Sequence, residues 1–194
     1  MADPLPALLA EIAACRHCAD QLPQEPRPVL RAASRATILI AGQAPGRRAH
    51  ASGVPWDDAS GERLREWLGV DAQTFYNPEC FAIVPMGFCF PGSGKSGDLP
   101  PLPACRERWH PRLLPLLPNL RFKLLIGEYA QAYYLPRRPP TLTATVEAWR
   151  DYFPAALPLP HPSPRNQLWL RRNPWFEAEV LPVLRQRVQQ LLAV

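Results

Sequence analysis

No apolar run in this 194-residue chain approaches the roughly 20 residues that span a bilayer. The N-terminus, Met1-Ala-Asp-Pro-Leu-Pro, lacks the basic residues that open a secretory signal, so a cytoplasmic, nucleoid-associated protein is expected. Internal repeats are missing, as is any break in composition that would mark a second domain. One domain over residues 1–194 is therefore expected, long enough to bury a substantial core. The stretch PGSGKSGDLPPLP is rich in glycine, but it lacks the G-x4-G-K-[S/T] spacing of a phosphate-cradling loop. A C-x2-C pair is present, yet it follows a helical segment instead of opening a helix after a strand, which argues against a thioredoxin-type redox turn.

Hydrophobic residues make up 47% and charged residues 20%, a globular balance. Proline is abundant at 26 residues and spread along the chain, which indicates many rigid connections and no disordered tail. The net charge is +5 and the pI about 9.2. Arg47-Arg48, Arg137-Arg138, Arg165 and Arg171-Arg172 fall in expected loops or at element ends. That placement suits a polyanionic partner and equally a solvated surface.

Helical apolar spacing covers residues 5–14, and a proline-rich segment, 22–31, is expected to cross the surface toward the first strand. Ile38-Leu39-Ile40 is a β-branched run suited to a buried strand. It breaks at Gly42-Gln43-Ala44-Pro45-Gly46, a turn with two glycines around a proline, and a loop with Trp56, Asp57 and Asp58 leads into a helix over 62–70. Further strands are expected at 81–84, 122–126 and 156–160, with helices at 106–117 (interrupted by Pro111 and Pro115), 129–135, 146–153 and 174–192. Residues 85–103 read as one long loop. This alternation predicts a three-layer α/β/α sandwich with a four-stranded, mostly parallel sheet.

With no secretory signal, the five cysteines point away from disulfides. Cys15 and Cys18 supply two ligands, and Cys89 and Cys105 could complete four thiolates around an iron–sulfur cluster or zinc. Cys80, just before a strand, reads as an inert thiol.

Three of these features together resemble the uracil-DNA glycosylase superfamily, and in particular its iron–sulfur branch, family 4. They are the strand-turn GQAPG with the loop Gly53-Val54-Pro55-Trp56-Asp57-Asp58-Ala59-Ser60-Gly61, the terminal turn His161-Pro162-Ser163-Pro164, and the cysteine pattern. The resemblance runs from about Cys15 to Arg165. It implies the superfamily's α/β/α fold, a 4Fe–4S cluster on Cys15, Cys18, Cys89 and Cys105 (zinc being the alternative), and a monomer acting on single- or double-stranded DNA. The implied activity is that of a DNA glycosylase of base-excision repair, hydrolysing the N-glycosidic bond of a flipped-out uracil or other damaged base.

By the same resemblance His161 would hydrogen-bond a carbonyl of the leaving base, Trp56 would stack on it, and Gly42, Gln43, Ala44, Pro45, Gly46 and Gly87 would line its pocket. Ser163, Pro164, Arg165 and Asn166 match the segment that probes the minor groove. Two positions depart from the family. Gln43-Ala44 stands where relatives carry an acid that orients water, which moves that role to Asp58, or less readily Asp57, unless both only cap the following helix. Pro85 stands where relatives have the asparagine that reads uracil, and proline has no side-chain amide. These departures keep two alternatives open: a damaged-DNA sensor with little or no turnover, and a hydrolase of small N-glycosides.

Overall fold

A computed structural model of the chain describes residues 3–193. Helix α1 (Leu5–Ala13) precedes β1 (Ile38–Ala41), and three helices, α2 (Arg47–Ser52), α3 (Ala59–Leu68) and α4 (Ala72–Phe75), lead to β2 (Phe81–Ile83). The hairpin β3 (Ser93–Gly94) and β4 (Gly97–Asp98) is followed by α5 (Pro103–Leu113), β5 (Phe122–Ile126), α6 (Glu128–Tyr134) and α7 (Leu142–Glu147). The chain ends with β6 (Ala156–Leu159), α8 (Gln167–Arg172) and α9 (Leu181–Leu192).

The four main strands form one fully parallel sheet in the order β2-β1-β5-β6. Parallel strands covered on both faces must be apolar on both, which is why ILIA and FKLLI read as near-continuous runs. Successive side chains then serve opposite cores. Ile38 and Ile40 pack with Leu64, Trp67 and Leu68 of α3 and Leu184 and Val188 of α9. Leu39 and Ala41 pack with Leu5, Leu8 and Ile12 of α1, Trp109 of α5 and Ala130 of α6. The α/β/α sandwich expected from the sequence is the observed architecture.

Several boundaries differ from the sequence reading. Residues 22–31 do more than cross the surface. Arg31 exchanges both main-chain hydrogen bonds with Ile83 (3.0 and 2.7 Å), and Val29 N donates to Phe88 O, so the segment caps the outer edge of β2. Prolines are tolerated there because an edge leaves N–H groups unpaired anyway. The stretch 85–103 is not one open loop, since it holds the β3–β4 hairpin. Helix α5 begins with Pro103 at its N-terminus and continues through Pro111, tightening only at Leu114–Leu116. The helix expected at 146–153 lies earlier: the Thr141 hydroxyl accepts the Ala144 N–H and starts α7, and a short turn at Trp149–Asp151 follows. The helix expected at 174–192 is α9 preceded by a wide turn at Phe176–Val180, where Pro182 has no N–H to offer the preceding turn. Helices α2, α4 and α8 were not foreseen.

His110 of α5 is completely buried, stacks on Phe88 with ring centroids 5.6 Å apart, and its Nε2 lies 3.0 Å from the Pro85 carbonyl. Burial pushes its pKa down to about 4. An unfolded histidine titrates near 6.5, so between the two values only the unfolded chain takes up the proton. The contribution to stability is complete above about pH 6.5 and is lost as the pH falls toward 4, amounting to roughly 3 kcal/mol. Urea midpoints measured from pH 7 to 4.5 should fall accordingly, and His110→Gln should flatten that part of the profile.

Candidate functional site

In a parallel sheet, ligands bind beyond the carboxyl ends of the strands where neighbouring connections diverge. Here β1 leads outward to β2 and β5 leads the other way to β6. The cleft lies at that end, with the turn after β1 on one side and the turn after β6 on the other. It is broad and opens to solvent. Gly42, Gln43, Ala44, Pro45, Gly46, Trp56, Asp58, His161, Ser163, Arg165 and Asn166, all singled out in the sequence, line it.

The turn after β1 is fixed from behind. Met86 N donates to Gly42 O (2.9 Å) and Gly87 N to Gln43 O (3.0 Å), so these two carbonyls face the β2 exit and not a ligand. Gly87 itself lines a separate cavity beside the cysteines and is absent from the cleft lining. Gln43 Nε2 donates to Leu99 O at 3.0 Å, tying the turn to the β3–β4 segment. Pro85 does line the cleft.

Trp56 is the only non-glycine residue with positive φ (+58°) among the described residues. Such a backbone is costly for an aromatic residue and persists only when its surroundings impose it. The surroundings are visible. The Trp56 carbonyl accepts the Tyr76 hydroxyl at 3.3 Å, and Arg65 in turn donates to that hydroxyl. A Cβ on Gly61 would fall 1.8 Å from the same carbonyl, and a Cβ on Gly42 would fall 2.9 Å from the indole edge. The two glycines thus create the space for the carbonyl and the ring. The indole stands 5.5 Å from the His161 ring, tilted by 32°.

His161 is partly buried, and its Nδ1 accepts the Ser163 N–H at 3.2 Å. That bond leaves the proton of a neutral imidazole on Nε2, making it the donor. Burial lowers its pKa, while the carboxylates of Asp58 and Asp98 act in the opposite sense. Asn166 Nδ2 donates to His161 O at 2.8 Å, and Ser163 Oγ accepts the Arg165 N–H. Asn166 and Ser163 therefore hold the histidine turn, while Pro164 and Arg165 stay exposed at the rim. Arg63 of α3 also grips this turn, donating to Ser163 O and Gln167 Oε1 at 3.2 Å each. No sequence signal marked Arg63. Arg63→Ala should lower any activity that depends on His161 severalfold with an unchanged far-UV spectrum, and Arg63→Lys should recover part of it through Ser163 O.

Asp58 caps α3, its Oδ1 accepting the Gly61 N–H at 2.9 Å, and it also lines the cleft. Capping and a site role are compatible, since one carboxylate oxygen serves each. Asp57 is absent from the cleft lining. Asp98, which the sequence did not mark, is there.

Cys15, Cys18, Cys89 and Cys105 come from the end of α1, the loop after β2 and the start of α5, and all four line one small apolar cavity. Cys80 is not among them. Burial pushes the Cys89 thiol up to about 11 and the Cys105 thiol up to about 12, and the neighbouring thiols add to both shifts. Among the described residues no three His, Cys, Asp or Glu side chains are gathered as ligands of one metal ion. No described helix is long and apolar enough to cross a membrane. A family model described as the uracil DNA glycosylase superfamily matches residues 30–185.

Proposed function

The chain belongs to the uracil DNA glycosylase superfamily, and from that premise we propose that it is a DNA glycosylase releasing a damaged base flipped out of DNA. The observation that carries this reading is the pairing of Trp56 and His161 side by side in the cleft, a stacking face beside a preorganised donor. A base laid against the indole gains stacking energy of about 1–3 kcal/mol. When the N-glycosidic bond breaks, the base leaves with negative charge, and the Nε2–H of neutral His161 meets that charge on a base carbonyl. The donor is worth most where it is held before the reaction starts, as the Ser163 and Asn166 bonds hold it. Arg165 at the rim suits a phosphate contact.

Pro85 removes the side-chain amide that would read uracil, so this site would discriminate bases through shape, stacking and the His161 donor. The test is base release from single- and double-stranded oligonucleotides carrying uracil, hypoxanthine, xanthine or 5-hydroxymethyluracil, read as strand scission at the abasic site. Release from at least one substrate supports the proposal. Binding without release across the panel favours a sensor, and release only from free nucleosides favours a small-molecule hydrolase.

The cysteine cavity suits a 4Fe–4S cluster held by Cys15, Cys18, Cys89 and Cys105. Four thiols from three segments line it, and burial raises the pKa values of Cys89 and Cys105, so a cation is needed to keep those two as thiolates. A cluster attaches each thiolate to a different iron, so its ligands need not crowd around one ion as those of zinc must. Bound there, the cluster would be a structural cross-link tying the end of α1 to the loop after β2 and to α5. Purified protein should be brown, with about four irons per chain on this reading. Cys105→Ser should lose the colour and lower the melting temperature. A colourless protein with one zinc per chain would overturn the assignment.

A further inference from the structure

Gly46 has φ −77° and ψ 176°, a conformation open to any residue, so the backbone does not require glycine there. What glycine provides is space. The position its missing Cβ would take is 3.5 Å from Asp98 Oδ2 and 3.9 Å from Asp58 Oδ2. The two carboxylates, one at the start of α3 and one in the β3–β4 hairpin, thus both border the space beside Gly46 in the cleft. Each is held by its other oxygen: Asp58 Oδ1 by the Gly61 N–H, and Asp98 Oδ1 by the Ser93 hydroxyl at 3.0 Å. The hairpin carrying Asp98 is itself fastened to the cleft through Gln43 and Leu99.

We propose that the space beside Gly46 holds the attacking water of the glycosylase reaction, with Asp98 as its proton acceptor and Asp58 as its second anchor. This rests on the glycosylase reading above and gives the water a place that the turn, with Gln43-Ala44, does not. The water donates hydrogen bonds to the two Oδ2 atoms and its oxygen lone pair attacks the anomeric carbon. The carbon–nitrogen bond breaks, its electron pair leaves with the base, and His161 Nε2–H bonds the resulting anion. The water proton passes to Asp98, which is solvent-exposed and can release it, and the base anion is protonated from solvent. The products are an abasic site with a hydroxyl at the anomeric carbon and the free base.

The experiment compares single-turnover base release and oligonucleotide affinity in wild type, Asp98→Asn and Gly46→Ala, on the best substrate of the panel. Asp98→Asn keeps the shape and the Ser93 bond but removes the proton acceptor, and release should slow by about 100-fold. Gly46→Ala adds a methyl group at ordinary contact distance, so the protein should fold normally and release should slow comparably as the water is excluded. Dissociation constants should stay within about twofold in both. Wild-type rates in either variant, or a loss of affinity that accounts for the slower release, would overturn the water site and leave the glycosylase reading standing. A wild type inert on every oligonucleotide would overturn both.

Discussion

His161→Ala is expected to slow base release by about a hundred- to a thousand-fold while leaving DNA affinity nearly unchanged, the effect of removing one preorganised donor to a developing anion. The geometry assigns this donor to one atom. Nδ1 is occupied by the Ser163 N–H, so the neutral ring carries its proton on Nε2. Protonating the ring would put a second N–H against that of Ser163, so the working form is the neutral one. Burial lowers the His161 pKa below the ordinary value near 6.5, although Asp58 and Asp98 pull it back in part. The neutral form therefore dominates at neutral pH, and base release should be flat there and fall only as the pH drops below about 6.5. The variant should lose this acid limb along with the rate. Single-turnover rates between pH 5 and 8 check both points, and an alanine variant within tenfold of wild type would remove His161 from the chemistry.

How much of this was legible in the sequence depended on whether a feature is local. Strands β1, β5 and β6 were readable because a parallel strand buried on both faces needs an uninterrupted apolar run, as FKLLI and ILIA have. The turn 42–46 and His161 were readable because motifs of glycine, proline and histidine at strand ends are local too. What the sequence hid was mostly decided by contacts over long separations. Arg63 reaches Ser163 across 100 residues, and Gln43 reaches Leu99 across 56. Asp98 sits in a stretch of glycine, serine and lysine that reads as an open loop, and only the two pairings Ser93–Asp98 and Gly94–Gly97 turn it toward the cleft. The place of Gly87 was hidden for a related reason. The residues after β2 pass between two cavities, and sequence cannot tell which one a given backbone atom faces. The cysteines were legible as a set of four, and the raised thiol pKa values arise from burial in a cavity that only the assembled fold makes.

Gly61→Ala is expected to be the most damaging single-methyl change at the site, costing stability and activity together. Gly61 is buried in the first turn of α3, and alanine would ordinarily favour the helix there by about 1 kcal/mol. The contact reverses that preference, because the new Cβ would fall 1.8 Å from the Trp56 carbonyl and 2.9 Å from the Trp56 Cβ. The obstruction is backbone, which cannot rotate away as a flexible side chain could. Either α3 or the Trp56 loop must move, and overpacking of this kind costs typically 1–3 kcal/mol. The loop is the weaker partner: Trp56 already has a φ of +58° and relies on the Tyr76 hydroxyl and on the space beside Gly61 and Gly42. Its displacement would carry the indole away from His161 and strain the Asp58 cap, which depends on the Gly61 N–H. Base release should therefore fall by at least about tenfold beyond what lost stability explains, since displacing a positioning element by an ångström can cost more than that. Glu62→Ala, an exposed change in the same helical turn, should shift stability by less than about 0.5 kcal/mol and leave release intact. Urea midpoints and single-turnover rates for the pair test this. A Gly61→Ala protein with wild-type stability and rate would mean that the Trp56 loop is not held against α3 as described.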